Sequence, residues 1–154
     1  MTDPAEGRDA AFMRLALERA QAAARGGEVP VGAVLVCAEQ VIASGSNAPI
    51  ASHDPTAHAE IEAIRAAGRI IGSWRLAECT LVVTLEPCTM CAGALLAGRI
   101  PRLVYGARDP RAGAAGSVWD VLHDPRLGPP VEVLGGILEE ECAALLRDFF
   151  SGRR

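Results

Sequence analysis

An α/β sandwich is the fold class this sequence predicts: three layers, α/β/α, around a central mixed sheet of about five strands. Three observations carry the prediction. The chain has 154 residues, half of them apolar, which suits one ordinary buried core. Short β-rich runs alternate with stretches of helical period, the mark of strand–helix–strand units. No repeat, linker or low-complexity segment interrupts the sequence, so 1–154 reads as a single domain. Aromatics make up only 4%, so the core must rest on Ala, Val, Leu and Ile.

The elements follow in order. Thr2-Asp3-Pro4 is a helix start with proline near the first helical position. Phe12, Leu15, Ala16, Ala20 and Ala23 recur at helical spacing until Gly26-Gly27 stops the run. Val31 to Cys37 and Val41 to Ser44 are β-rich and three residues apart, which predicts a hairpin. A Ser/Asn/Pro-rich loop covers Gly45 to Asp54. Asp54-Pro55-Thr56 then opens a helix running through Ile61 and Ile64 to about Gly68. Thr80 to Thr84 reads as a buried strand, broken at Glu86-Pro87, with a short helix over Thr89 to Ala97. Leu103 to Tyr105 is the next strand. Residues 106–117 are irregular, Val131 to Leu134 is a last strand, and Glu139 to Phe150 is an amphipathic helix. The three acids of its first turn complement the helix dipole.

Charge narrows the function classes. The net charge is −4 and all 15 cations are Arg. Without a lysine, neither a lysine-based phosphate loop nor a Schiff-base mechanism is open. The global acidity argues against a protein that coats nucleic acid generally. The charge is uneven, however: −5 over residues 1–64, +4 over 65–111 and −3 over 112–154. The basic third leaves room for a local basic patch, in which any phosphate contact must come from Arg forks, backbone amides or neutral side chains. The N-terminus has no apolar signal core, and no apolar run is long enough to span a bilayer, so no membrane association is expected. The chain therefore reads as intracellular, with its five cysteines as free thiols.

Closely spaced cysteines in that setting point to metal or redox chemistry. Cys88 and Cys91 lie three apart at a strand-to-helix junction, where they share one helical face and helix amides favour the thiolate. Alone, the pair could equally be a redox couple or half of a structural zinc knuckle. His58 adds a nitrogen ligand, and one His with two Cys suits zinc with a fourth position open for water. Glu60 is the acid/base beside it. Positions two apart on a helix diverge by roughly 200°, so His58 and Glu60 converge only if the site lies off the helix end. Cys37, Cys79 and Cys142 sit in apolar runs and read as buried, inert thiols. His53 and His123, in polar loops, read as structural or surface residues.

The set His58-x-Glu60 with Pro87-Cys88-x-x-Cys91 matches the zinc-deaminase signature. Around it stand Glu28-Val-Pro-Val-Gly-Ala-Val-Leu-Val, Asn47-x-Pro-Ile, His53-Asp-Pro-Thr-Ala-His-Ala-Glu-Ile, Thr84-Leu-Glu-Pro-Cys-x-Met-Cys-Ala-Gly-Ala and Gly106-Ala-Arg-Asp-Pro-x-x-Gly-Ala-Ala-Gly-Ser. Over nearly its full length the chain resembles the bacterial tRNA-specific adenosine deaminases. The resemblance implies a cytidine deaminase-like fold, one zinc ion per subunit with a bound water or hydroxide, and a cytoplasmic homodimer. It implies hydrolytic conversion of the wobble adenosine of an arginine tRNA anticodon to inosine, with release of ammonia. Glu60 would carry the protons and Asn47 would touch the flipped base. Val29 and Leu85 would join Asn47 in binding substrate, and Arg108, Asp109 and Arg111 would meet nucleotides flanking the target. Phe149, Arg153 and Arg154 correspond to the family's tRNA-contacting tail, although Ser151-Gly152 interrupts its basic run and the two phenylalanines suit a core. Two rivals remain: a deaminase of free bases or nucleosides, and a binding module with a structural zinc.

Overall fold

The computed structural model describes residues 4–153. Helix α1 (Pro4–Arg25) leads into strands β1 (Gly32–Cys37) and β2 (Gln40–Ser46), a one-turn helix α2 (Pro49–Ser52) and helix α3 (Ala59–Ile71). Strand β3 (Cys79–Leu85), helix α4 (Thr89–Ala97), strand β4 (Arg102–Ala107), strand β5 (Glu132–Leu134) and helix α5 (Glu139–Ser151) complete it. The sheet order is β2-β1-β3-β4-β5. β1 is antiparallel to both neighbours, whereas β3, β4 and β5 run parallel. The predicted mixed five-stranded sheet is therefore present.

Period-two alternation feeds two cores. Ala33, Leu35, Leu81, Val83, Leu103 and Tyr105 face the layer containing Ala59, Ala63, Ala67, Ala92 and Leu95 of α3 and α4. Val34, Val36, Val82 and Val104 face Met13 and Ala16 of α1 and Cys142 of α5. Small side chains bring the helices close to the sheet. A Cβ on Gly32 would collide with the carbonyl of Ala16 and lie 2.5 Å from the amide nitrogen of Ala20. A Cβ on Gly45 would likewise collide with the carbonyl of Ala59 and lie 2.7 Å from the nitrogen of Ala63. The hairpin thus presses α1 from one face and α3 from the other. Ala38 and Glu39 both adopt positive φ, as a two-residue primed turn requires.

Several expectations are corrected. The inward stripe of α1 is Asp9, Met13, Ala16, Ala20 and Ala23, while Leu15 is exposed. Asp9 is tolerated there because Arg102 of β4 meets it with two hydrogen bonds of 2.9 and 2.7 Å. The Thr2-Asp3 part of the predicted helix start lies outside the described residues. Asp54-Pro55-Thr56 does not open the helix: Asp54 Oδ1 accepts from the amide (2.9 Å) and hydroxyl (2.7 Å) of Thr56, closing a local turn. Helix α3 begins only at Ala59. Cys37 and Cys79 are not free thiols but a disulfide, because the antiparallel register sets them opposite one another with Cα atoms 4.4 Å apart. Cys142 is the buried thiol expected, with burial pushing its pKa up to about 12.

Candidate metal centre and active site

Two chain segments deliver the site, and both do so just before a helix. His58 is the N-cap of α3 and Cys88 the N-cap of α4, each on extended backbone. This answers the angular objection: His58 lies outside the helix, so it and Glu60 are not bound by the helical spacing. Cys91, in the first turn of α4, is buried. His58 Nδ1 lies 3.7 Å from Cys88 Sγ and 3.5 Å from Cys91 Sγ. Zinc bonds of about 2.05 Å to nitrogen and about 2.3 Å to sulfur, at a tetrahedral angle of about 109°, require N···S separations of about 3.6 Å. Both N···S separations therefore match a tetrahedral zinc ion, and the three ligand atoms all lie within 4.8 Å of one another.

The electrostatics agree with that geometry. Hydrogen bonds from Cys91 and His58 draw the Cys88 thiol down to about 3, so it is a thiolate at neutral pH. The Cys91 thiol is pushed up by donating to Cys88 and by burial, and His58 is raised by its bond to Cys88. One proton thus serves two sulfurs, and a divalent cation that takes both as thiolates displaces it. Glu60 is buried beside them, within hydrogen-bond reach of Cys91, and burial raises its pKa. A carboxyl so placed is poised to take up and return protons.

Asn47, directly after the β2 strand, reaches the first turn of α3 between His58 and Glu60. Neither N-cap residue caps its own helix through a side chain. Instead the Asn47 Oδ1 accepts the amide proton of Ala59 at 2.9 Å, satisfying a first-turn N–H of α3 from outside. That bond assigns the amide orientation, because the N–H of Ala59 can only donate. The Asn47 NH2 is then the donor end of the side chain. Its own backbone amide donates to Val31 (3.1 Å), tying the loop to the start of β1.

The other predicted site residues are distributed around this centre. Val29 and Leu85 are half-buried and pack against the core, with Leu85 three residues before Cys88. Arg108 is exposed and paired with Glu139 at 3.1 Å. Asp109 Oδ1 accepts the backbone amides of Arg111 (3.0 Å) and Ala112 (3.2 Å), so its carboxylate shapes the loop. Arg111 is exposed, and among the described residues it forms no ion pair. The phenylalanines are not core: Phe149 is half-buried and Phe150 exposed, stacked edge to face at 5.3 Å. The Arg153 guanidinium covers the Phe149 ring at 4.1 Å. Arg154 lies outside the described residues. His53 is exposed at the end of α2, and His123 is held by Asp120 (3.0 Å) and the Val131 carbonyl (2.9 Å). Both are peripheral, as expected.

Sequence reasoning missed two buried carboxylates. Glu28 accepts the amides of Ile50 (3.1 Å) and Ala51 (2.9 Å), anchoring the turn after Asn47. Glu86 accepts three backbone amides from the loop after β4. Both acids stand next to or near a proline inside apolar stretches, and that was the available signal.

Comparison with known proteins places the chain in a family. Residues 6–107 match the family model for the cytidine and deoxycytidylate deaminase zinc-binding region. The tRNA-specific adenosine deaminase of Haemophilus influenzae is 51% identical over 147 residues, covering 95% of this chain and 85% of that protein. That of Bacillus subtilis is 43% identical over 142 residues, covering 92% and 88%. A solved structure from work on tRNA deaminases that perform A-to-I editing at the wobble position of transfer RNA superposes with a TM-score of 0.85. It is 47% identical and covers 88% of this chain and 98% of its own. A guanine deaminase from Nitrosomonas europaea is more distant, at 25% identity and a TM-score of 0.82, over 98% of this chain and 86% of its own. The chain belongs to the zinc-binding cytidine and deoxycytidylate deaminase family and, within it, to the tRNA-specific adenosine deaminases.

Proposed function

We propose that this enzyme hydrolyses the wobble adenosine of an arginine tRNA anticodon to inosine and releases ammonia. The observation that carries the reading is the convergence of His58, Cys88 and Cys91 at zinc spacing with the buried Glu60 among them. The three ligands would hold one zinc ion per subunit, with a fourth position for water. Bound there, zinc supplies Lewis acidity that lowers the pKa of a water to about 7. Glu60 accepts a proton from the attacking water and delivers it to N1 of the adenine ring. It then carries the second proton to the amino group as the C6–N6 bond breaks, so water and adenosine leave as inosine and ammonia. The Asn47 NH2 donates to an acceptor on the edge of the flipped base, and Val29 and Leu85 supply apolar wall. Arg108, Asp109 and Arg111, with Phe149, Arg153 and Arg154, are the proposed contacts to the rest of the anticodon arm.

The enzyme works in this reading as a cytoplasmic homodimer of single-domain subunits. One surface supports the dimer: an apolar groove between α3 and α4, lined by Ile61, Ile64, Leu76 and Ala94, with Trp74 60% exposed at its edge. Among the described residues no helix is long and apolar enough to cross a membrane. A monomeric mass in sedimentation would refute the dimer.

Substrate class is tested directly by incubating the protein with an arginine tRNA, free adenosine and free guanine. Inosine at the wobble position, with negligible turnover of the free compounds, is expected. Equal rates on free adenosine would sink the tRNA reading. Guanine is included because the fold is shared with guanine deaminases.

A further inference from the structure

Glu86 follows directly on β3 and is 2% exposed, yet among the described residues it meets no cation. Its charge is met by one loop. Oε1 accepts the backbone amide of Asp109 (3.1 Å) and the hydroxyl of Ser117, and Oε2 accepts the amides of Ala115 (3.0 Å) and Ser117 (3.1 Å). A carboxylate offers about four acceptor directions, and all are occupied. The loop also closes over it sterically: a Cβ on Gly113 would lie 2.5 Å from Cδ and Oε2 of Glu86.

The same residue is tied to the metal-ligand segment. Its backbone amide donates to Ala107 (2.8 Å), where β4 ends, and its neighbour Pro87 accepts from Ala114 (2.8 Å) within the loop. Cys88 is two residues on. One side chain therefore joins Cys88 to both ends of segment 109–117. Arg108, Asp109 and Arg111 stand at one end, and the exposed Val118 and Trp119 follow the other. Three backbone donors and a hydroxyl on one buried anion is an expensive arrangement to leave half-made, so the loop is held in one conformation.

We infer that Glu86 is a positioning residue that sets the 108–119 loop against the Cys88 segment and so determines how tightly the RNA flanking the target base is held. This rests on the tRNA reading above. Glu86 does not touch the reacting atoms in this inference, so its loss is read in KM rather than kcat.

The test is Glu86→Gln in the zinc-loaded protein, assayed on an anticodon stem–loop. The amide keeps the size but turns one acceptor into a donor that faces amide donors. The expected result is a KM at least 10-fold higher, kcat within about 3-fold of wild type and zinc content unchanged. Hydrogen exchange should quicken at the amides of Asp109, Ala115 and Ser117. Ser117→Ala removes only the hydroxyl, keeps the fold safe, and should raise KM about 3-fold with kcat unchanged. An unchanged KM in both variants, or a fall confined to kcat, would overturn the inference. If wild-type protein makes no inosine in the stem–loop, it is the tRNA reading that fails. If wild type is active and the variants bind as it does, only the role of Glu86 fails.

Discussion

Replacing Asn47 by Asp separates two jobs of one side chain, the bond to Ala59 seen in the structure and the base contact proposed above. The Oδ1 of Asn47 holds the Ala59 amide at 2.9 Å, and an aspartate oxygen keeps that bond. A negative charge at the α3 N-terminus is moreover favourable to the helix dipole, so the fold should not suffer. What is lost is the NH2 donor. A carboxylate oxygen then faces an acceptor on the base, leaving an enclosed polar atom unpaired at a cost of about 1–3 kcal/mol. That is a drop of roughly 5- to 150-fold in kcat/KM. Asn47→Ala loses both bonds. The Ala59 amide is then orphaned at about 1–2 kcal/mol, and a chain of this length loses about 2–8 °C in Tm. The assays are a thermal melt and steady-state deamination of an anticodon stem–loop. If Asn47→Asp melts like wild type and keeps full kcat/KM, Asn47 is only a cap for α3 and the reasoning about base contact is wrong.

Four further outcomes are expected. Glu60→Ala should retain zinc and lose at least 10²–10⁴-fold in turnover, measured as inosine released; full-rate turnover would remove Glu60 from proton transfer. Arg111→Ala should weaken tRNA binding and flatten the dependence of log affinity on log salt by about one contact, and an unchanged slope takes Arg111 off the phosphate backbone. Reduction of Cys37–Cys79, which spans 42 residues, should lower stability by up to about 4 kcal/mol on chain entropy and leave activity intact. The bridge sits at the start of β3, about 20 Å along the strand from its site end. Denatured, unreduced protein should show three reactive thiols, Cys88, Cys91 and Cys142; five would disprove the pairing.

What could be read from the sequence was local. The cluster of His58, Cys88 and Cys91 was legible because thiol and imidazole groups beside strand-to-helix junctions have few other uses. The helix over Thr89–Ala97 was legible for the same reason, with Pro87 marking its approach. The beginning of α3 was misplaced because Asp54-Pro55-Thr56 offers the chemistry of a helix cap and spends it on a turn. His58, the true N-cap, makes no side-chain cap bond and so cannot advertise the start. The Cys37–Cys79 pair depends on the register of strands 42 residues apart, which no local pattern encodes. Glu28 and Glu86 were passed over because an acid looks solvated until the loop that buries it is in place. Phe149 and Phe150 misled in the opposite sense: their apolarity suggested a core, but the helix end turns them outward, where Arg153 covers one of them.

Gly45 lies in a strand, has no side chain and takes no part in the chemistry. Yet a Cβ on it would collide with the carbonyl of Ala59, and Ala59 stands between His58 and Glu60. The elevation of α3 above the sheet, and with it the positions of His58 and Glu60, is thus calibrated by an absent methyl group. A single added carbon would lift the helix, and a displacement of about 1 Å at a reacting centre costs on the order of 10²-fold in rate. Anyone redesigning the pocket for another base would be working above a floor whose height is set from the opposite side of the helix.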